Sequence, residues 1–121
     1  MYRITKDRRF YMMIVRVNEA EKKEMLEGVF RENLAWGEKN HLVKFTILKN
    51  SEIPQHSHQN EQTGYLLRGR LLLAVDGREY IMTPGDSWSI PSNTSHGAKA
   101  LEEVEIIEAF SPPREDYLKS R

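Results

Sequence analysis

Apolar and polar residues alternate in short runs along most of this chain, and turn-forming residues separate the runs. A period of two places successive side chains on opposite faces of a strand. Runs of this kind, spaced by roughly 8–12 residues, are typical of an antiparallel sandwich or barrel. The pattern predicts strands over 12–17, 29–36, 41–48, 64–68, 71–75, 78–82, 87–90, 95–100 and 104–110.

Two short segments carry a helical pattern instead. Residues 18–26 begin with Asn18, a good N-cap, place acidic residues in the first turn and end before Gly28. Residues 114–119, which follow two prolines, predict a terminal helical turn. No long helical segments alternate with the strands. The sequence therefore predicts an all-β fold with short N-terminal and C-terminal helical segments.

The pair Asp76-Gly77 is the strongest hairpin signal, because a type I′ turn needs positive φ at both central residues. The preceding run, 71–75, is apolar on both faces. One face would line a barrel, and the other would pack on a second sheet or a partner chain. Open sheet edges and two-sided apolar strands lead us to expect a homodimer.

Composition limits the class of protein. The 121 residues fit one domain, spanning 1–121. Lys+Arg and Asp+Glu both number 18, so no basic excess points to a nucleic-acid partner. Cysteine is absent, which excludes disulfides and thiolate metal sites. No apolar run approaches the roughly 20 residues of a membrane span, and the start does not form a convincing signal peptide. We expect a cytoplasmic protein without a membrane partner.

Candidate chemistry is concentrated in three histidines. His56 and His58 are two residues apart and would project from the same face of a strand. Gln62 would project from the same face if the strand resumes with the same alternation. His96 lies further along the chain. Imidazole is a common ligand for Zn, Cu, Fe and Ni, so the pattern indicates a metal site inside a small β-barrel. The alternative is a set of surface or turn histidines after Pro54.

Two motifs resemble those of the cupin family in residue type, order and spacing. They are His56, His58, Gln62 and Gly69 within about 51–69, and Gly85, Pro91 and His96 within about 84–100. The resemblance implies a jelly-roll barrel, or double-stranded β-helix, with metal ligands at His56, His58, Gln62 and His96. Nitrogen and oxygen ligands suit one divalent ion of Mn, Fe, Co, Ni, Cu or Zn without choosing between them.

The fourth position departs from the usual cupin pattern, in which a glutamate is most often the ligand. Here Gln62 stands in that place, and the neighbouring Glu61 is the alternative, although it is out of phase with the histidines. Three neutral imidazoles and one amide would leave the full +2 charge of the ion uncompensated. Such a site would attract an anionic substrate oxygen.

A finer resemblance, in 56–65, 90–97 and 110–117, is to the uronate-ketonising cupins of pectin and alginate breakdown. Those proteins convert 4,5-unsaturated monouronates into linear keto acids. The resemblance implies that Glu108 and Arg114 are catalytic and that Phe110 binds substrate. The corresponding acid in that group is an aspartate, whereas Glu108 carries one more methylene.

The phase of the last strand decides where Glu108 points. One phase turns four alternate residues inward: Val104, Ile106, Glu108 and Phe110. The other phase turns inward Glu105, Ile107 and Ala109. We expect the first, because Phe110 agrees with it and a carboxylate among apolar residues is unusual without a partner or a function. Arg114 is expected either in the site or, equally, on the surface.

We therefore expect a metal-dependent enzyme that acts on a small carboxylated sugar derivative. Glu108 would move a proton, Arg114 would bind the carboxylate and Phe110 would shape the pocket. Two alternatives stay open: a metal-dependent dioxygenase of a small molecule, and a non-catalytic ligand-binding module whose metal is structural.

Overall fold

The computed structural model describes residues 3–7 and 10–119 of the chain. The described part contains twelve strands and one short helix. The strands are β1 (Arg3–Asp7), β2 (Phe10–Ile14), β3 (Lys22–Leu26), β4 (Val29–Trp36), β5 (His41–Ile47), β6 (Glu52–His56), β7 (Glu61–Arg68), β8 (Leu71–Val75), β9 (Arg78–Met82), β10 (Ser87–Ile90), β11 (His96–Ala100) and β12 (Val104–Ser111), and the helix is α1 (Glu115–Lys119). The prediction of an all-β fold is confirmed.

The strands form two main antiparallel sheets. The six-stranded sheet has the order β10-β7-β12-β5-β4-β3, and the four-stranded sheet has the order β6-β11-β8-β9. β1 and β2 pair only with each other among the described strands. Strands that follow one another in the chain repeatedly cross from one sheet to the other, as the predicted jelly-roll barrel requires.

The hydrophobic core lies between the two sheets, since side chains of both belong to one buried cluster. Strict alternation along β12 buries every second residue, and the same alternation along β7 buries its inward face. Fully burying a large aliphatic side chain contributes about 1.5–3 kcal/mol. The alternation that predicted the strands therefore also builds the core.

The barrel interior has two chemically different ends. At one end Val29, Ile47 and Val104 lie side by side across adjacent strands. We call this region the apolar end. At the opposite end of the same sheet, Phe110 lies between His41 and Gln62. We call that region, with the three histidines described below, the polar end.

The hairpin between β8 and β9 turns as the sequence predicts. Asp76 has a φ of 49° and Gly77 a φ of 82°, so both central residues occupy the left-handed region. Glycine adopts this conformation without steric cost, and aspartate tolerates it better than most residues. The turn sets the register in which Val75 pairs with Arg78.

The predicted N-terminal helix over 18–26 is wrong. The chain turns near Asn18 and then forms β3, which pairs with β4. Pairing satisfies the backbone polar groups of β3 along the sheet, and it brings Met25 against the core. This tertiary pairing overrides the helical propensity of a charged segment. The predicted first strand is also shorter than expected, since β2 ends at Ile14 and Val17 is 96% exposed.

The predicted C-terminal helical turn is confirmed as α1, which has acidic residues in its first turn and Lys119 in its last. Tyr117 and Leu118 of α1 are buried, so the turn docks on the barrel. Among the described residues, no helix combines the length and the apolar character needed to cross a bilayer.

Candidate metal centre and ligand cavity

Three histidines converge at the polar end. His56 ends β6 and pairs directly with His96, which begins β11, while His58 follows β6 by two residues. One ring nitrogen from each histidine lies within 4.8 Å of the others. The strand pairing and the His-x-His spacing together bring residues 40 positions apart in the chain into one cluster.

Each of the three rings is oriented by a backbone carbonyl two residues away. Nδ1 of His56 lies 2.9 Å from the Pro54 oxygen, and Nδ1 of His58 lies 2.9 Å from the Asn60 oxygen. Nδ1 of His96 lies 2.7 Å from the Thr94 oxygen. A carbonyl only accepts, so Nδ1 carries the proton and Nε2 keeps its lone pair. This is the outer hydrogen-bonding arrangement that metal-binding histidines use.

The free ring nitrogens fit a metal ion. Nε2 of His58 and Nε2 of His96 are buried, and neither has a hydrogen-bond partner within residues 3–7 and 10–119. Burial lowers the pKa of His96 to about 4, and burial, together with the nearby Arg114 charge, lowers the pKa of His58. Both rings are thus neutral at neutral pH, which is the form that coordinates metals.

Gln62 faces the same interior, whereas Glu61 lies on the exposed face of β7. The Gln62 side chain hydrogen-bonds with Glu108 and lies beside His58, and its buried Oε1 has no hydrogen-bond partner among the described residues. An unpartnered carbonyl oxygen beside three imidazole nitrogens adds a donor that suits a divalent transition metal.

Glu108 points inward, and the alternative phase of the last strand is wrong. Its side chain is buried, with 7% of the residue exposed. Burial raises the pKa of Glu108 to about 7, although hydrogen bonds with Gln62 and Trp88 act in the opposite direction. Oε1 accepts a hydrogen bond from the Trp88 indole at 3.4 Å, and Oε2 is buried without a partner.

The Trp88 indole occupies space that only a glycine leaves open. A Cβ built on Gly64, which pairs with Trp88 across β7 and β10, would lie 2.3 Å from the indole ring. Gly64 is therefore required for the position of Trp88, and Trp88 in turn holds one oxygen of Glu108. Gly64, Trp88 and Glu108 lie on three different strands, so no sequence motif indicates this contact.

Arg114 is buried rather than on the surface. Its guanidinium lies 5.0 Å from the centre of the Phe110 ring and 4.0 Å from that of Tyr117. Two hydrogen bonds, at 2.8 and 3.1 Å, join it to the carboxylate of Asp116. Contacts over aromatic faces stabilise a cation in a desolvated position.

The segment that carries Arg114 is anchored by residues that the sequence did not identify. Asn60 donates from Nδ2 to the carbonyl oxygens of Pro112 and Pro113, at 2.7 and 3.3 Å. His41 accepts the backbone N–H of Arg114 at Nδ1, and burial and the Arg114 charge lower the pKa of His41 to about 4. Asn60 lies two residues after His58 in a loop, outside any periodic pattern, so the sequence alone does not indicate its contact with the segment of Arg114.

These side chains enclose a small cavity, which we call the inner cavity. Its volume is about 40 Å³. Its polar lining includes His56, Gln62, Trp88, His96, Glu108 and Arg114. The structure thus brings six of the seven sequence-predicted site residues, including Phe110, to one cavity, and His58 completes the histidine cluster beside it.

Comparison with known proteins bears on the family and the fold. Residues 43–110 match the model of the family described as "Cupin domain". The pectin degradation protein KdgF of Dickeya dadantii is 28% identical over 103 residues, covering 84% of this chain and 94% of that protein.

Two solved structures share the fold over 86% of this chain. One is an RmlC-like cupin from Shewanella frigidimarina, at a TM-score of 0.82 and 30% identity over 94% of that chain. The other is KdgF from Halomonas sp., at a TM-score of 0.81 and 27% identity over 96% of that chain. With its two sheets, its histidine cluster and these similarities, the chain belongs to the cupin family.

Proposed function

We propose that this protein is a metal-dependent enzyme that opens 4,5-unsaturated uronates into linear keto acids. The observation that carries the proposal is the position of Glu108. Its carboxyl group, with a pKa of about 7, is buried in the cavity where three histidines converge. Similarity to KdgF, a protein named for pectin degradation, supports the same substrate class.

Four side chains would hold one divalent transition metal: His56, His58, Gln62 and His96. All four ligands are neutral, so the ion would keep its +2 charge and supply a Lewis acid for an anionic or carbonyl oxygen. The buried, unpartnered atoms of His58, His96 and Gln62 support this assignment.

Glu108 is suited to hold and move a proton. A carboxyl with a pKa of about 7 is present in both forms at neutral pH, which is the condition for efficient general acid–base catalysis. Ring opening takes a proton from the anomeric hydroxyl as the bond between C1 and the ring oxygen breaks. C1 becomes an aldehyde and the ring oxygen leaves as an enolate on C5. The enolate then takes up the proton at C4 and becomes a ketone, so the reaction is a net isomerisation. Oε2 of Glu108 has no hydrogen-bond partner among the described residues, which leaves it available for these transfers.

Arg114 is proposed to bind the substrate carboxylate, and Phe110 to shape the pocket beneath it. The Arg114 fork is already engaged with Asp116, which is largely exposed. We propose that a substrate carboxylate shares or replaces that contact. The planar guanidinium matters because it donates two parallel hydrogen bonds to one carboxylate, a bidentate contact that an ammonium cannot make.

The decisive assay follows the loss of ultraviolet absorbance of an unsaturated uronate against its spontaneous decay. Protein loaded in turn with each plausible metal should accelerate the decay. Glu108→Gln should lower kcat by about 10²–10⁴-fold with metal content unchanged. Glu105→Gln, three residues away on the opposite face of the strand, is the matched control and should keep full activity. Wild-type protein that never exceeds spontaneous decay would rule out the uronate assignment.

A second variant separates binding from chemistry. Arg114→Lys keeps the charge but loses the planar fork, so it should mainly raise KM and leave kcat within a few-fold. An equal fall in kcat at unchanged KM would contradict the proposed role of Arg114 in holding the substrate carboxylate.

We also propose that the protein is a homodimer. Three large apolar side chains on the outer face of the six-stranded sheet are 39–47% exposed: Leu42, Tyr65 and Leu67. Covering such a face with a second copy removes apolar surface from water. Light scattering on purified protein measures the mass directly, and a monomer at all concentrations would contradict the proposal.

A further inference from the structure

The inner cavity is too small for the substrate that its chemistry favours. Its volume of about 40 Å³ is room for only about three water molecules. Pockets that bind small molecules usually have volumes of about 300–1,000 Å³. A carboxylate or hydroxyl group fits beside the histidines, but a six-membered ring needs space elsewhere.

A second, larger opening lies on the other side of Trp88, and we call it the outer cleft. Its volume is about 690 Å³. It opens between β9, the edge of the four-stranded sheet, and β10, the edge of the six-stranded sheet. Alternate residues of β9 line it: Arg78, Tyr80 and Met82. They pair with Val75, Leu73 and Leu71 of β8, so they project on the barrel side of the sheet.

The outer cleft and the inner cavity share two walls, Trp88 and Leu73. Trp88 also donates to Glu108, so the carboxyl lies directly behind the indole. On the other sheet, Val75 of the cleft pairs with His96 of the histidine cluster. The cleft therefore adjoins both the proposed acid–base residue and the proposed metal ligands.

The lining of the outer cleft suits a ring with an apolar face and polar edges. Tyr80 and Trp88 offer aromatic surfaces, and Tyr80 is 47% exposed. Ser87, Ser89 and Thr94 add hydroxyl-bearing side chains at the rim. Apolar and aromatic walls with a few polar groups are the usual composition of a small-molecule site.

We propose that the outer cleft binds the ring of a carboxylated six-membered-ring ligand, while only its small polar groups enter the inner cavity. The ring packs between Tyr80 and Trp88, and the carboxylate reaches past Trp88 toward Arg114 and the histidines. This inference rests on the proposed function for the anionic group. It adds the location of the ring and a residue, Tyr80, that the resemblance to uronate-ketonising cupins does not include.

Calorimetric titration of zinc-loaded protein tests the inference with three unreactive probes. D-glucuronate is a carboxylated sugar, phenylacetate is a carboxylated aromatic ring, and acetate carries the carboxylate alone. Tyr80→Ala should weaken D-glucuronate binding by about 5- to 10-fold, because the truncation removes apolar contact with the ring. Acetate affinity should stay the same, since acetate needs only the inner cavity.

The matched control is Ile81→Ala. Ile81 is the next residue of β9 and is 50% exposed, but it projects from the opposite face of the strand, away from the cleft. This variant should bind D-glucuronate as the wild type does. Thermal melting of both variants shows that each is folded before titration.

The outcomes separate the two proposals. D-glucuronate that binds equally to wild type and Tyr80→Ala overturns the outer-cleft inference and leaves the proposed function intact. If phenylacetate binds in a Tyr80-dependent way and D-glucuronate does not bind, the outer cleft is supported as the ring site. Its ligand is then an aromatic acid rather than a sugar, which contradicts the proposed function. Failure of both ring probes to bind overturns the inference as well.

Discussion

The apolar end and the polar end of the barrel are built on the same strands but differ in what their buried atoms need. Along one face of β12, Val104 and Ile106 pack with other apolar side chains, while Glu108 keeps a buried oxygen without a partner. An unsatisfied buried polar group costs about 1–3 kcal/mol. Both ends therefore contribute packing, but the polar end gives up part of its stability to keep atoms available for a ligand.

The largest change in the free energy of unfolding is expected from a loss of packing at the apolar end. Ile47→Ala should lower the free energy of unfolding by about 2–5 kcal/mol, because Ile47 is fully buried and its removal leaves a cavity. Denaturant unfolding measures the change. Leu48→Ala, at the exposed neighbouring position, is the control and should change stability much less. Equal effects at both positions would contradict the division between the two ends.

A truncation at the polar end should affect binding rather than folding. His96→Ala should weaken zinc binding by at least about 100-fold, since loss of a supporting partner alone costs roughly 10–100-fold. The metal-free variant should lose less stability than Ile47→Ala, because the change removes a buried nitrogen without a partner among the described residues as well as the Nδ1 bond to Thr94. Competition with a chromogenic chelator gives the affinity, and unchanged zinc affinity would exclude His96 as a ligand.

The pH dependence of metal-free protein separates the two ends in another way. The folded-state pKa of Glu108 is raised from 4.5 to about 7, so the folded protein binds an extra proton between these values. The stability that the protonated Glu108 carboxyl contributes to the fold is present below pH 4.5 and is lost as pH rises through about 7. Relative to wild type, Glu108→Gln should therefore gain about 2–3 kcal/mol of stability over that window.

The measurement is denaturant unfolding of both proteins at several pH values between 4.5 and 8. Glu105→Gln serves as control, because the ion pairs of Glu105 lower its pKa rather than raise it. A constant difference between wild type and Glu108→Gln across this range would show that the Glu108 carboxyl is not desolvated by the fold.

The smallest effect is expected outside both ends, on the solvent side of the sheet. Lys44 and Glu105 form an ion pair at 3.3 Å between neighbouring strands. Lys44→Gln should lower stability by less than about 1 kcal/mol, because partly exposed pairs are screened by water and salt. Thermal melts at low and high salt check this, and the difference from wild type should shrink as salt rises.

Much of the fold was predictable because its strands are bounded by local signals. β4, β8, β9 and β10 begin and end where alternation and turn residues place them. β3 was not predictable in this way, since its residues favour a helix locally and only pairing with β4 makes them a strand. The distinction is between segments whose own sequence determines their conformation and one whose partner determines it.

The inward direction of the candidate site residues could be predicted from the sequence, whereas the contacts that support them could not. Parity along the strands placed Gln62 and Glu108 inward, and the structure agrees. The contact of Trp88 with Glu108 depends on the absence of a side chain at Gly64, a position in another strand. Asn60 donates hydrogen bonds to the carbonyl oxygens of Pro112 and Pro113, which follow it by 52 and 53 residues in the chain. Contacts of this kind leave no periodic trace in a single sequence.

The three histidine rings are oriented by main-chain carbonyls, and this has a consequence for how the protein tolerates genetic change. A substitution at position 54 or 94 alters a side chain but leaves the carbonyl oxygen that holds the neighbouring ring. A substitution at position 60 also keeps its carbonyl, but it loses the bonds of the Asn60 side chain to Pro112 and Pro113. An insertion or deletion within 54–60 or 94–96 moves the carbonyl oxygen itself. Residue identity at positions 54 and 94 can therefore drift between descendants of this gene, whereas the length of these two segments cannot.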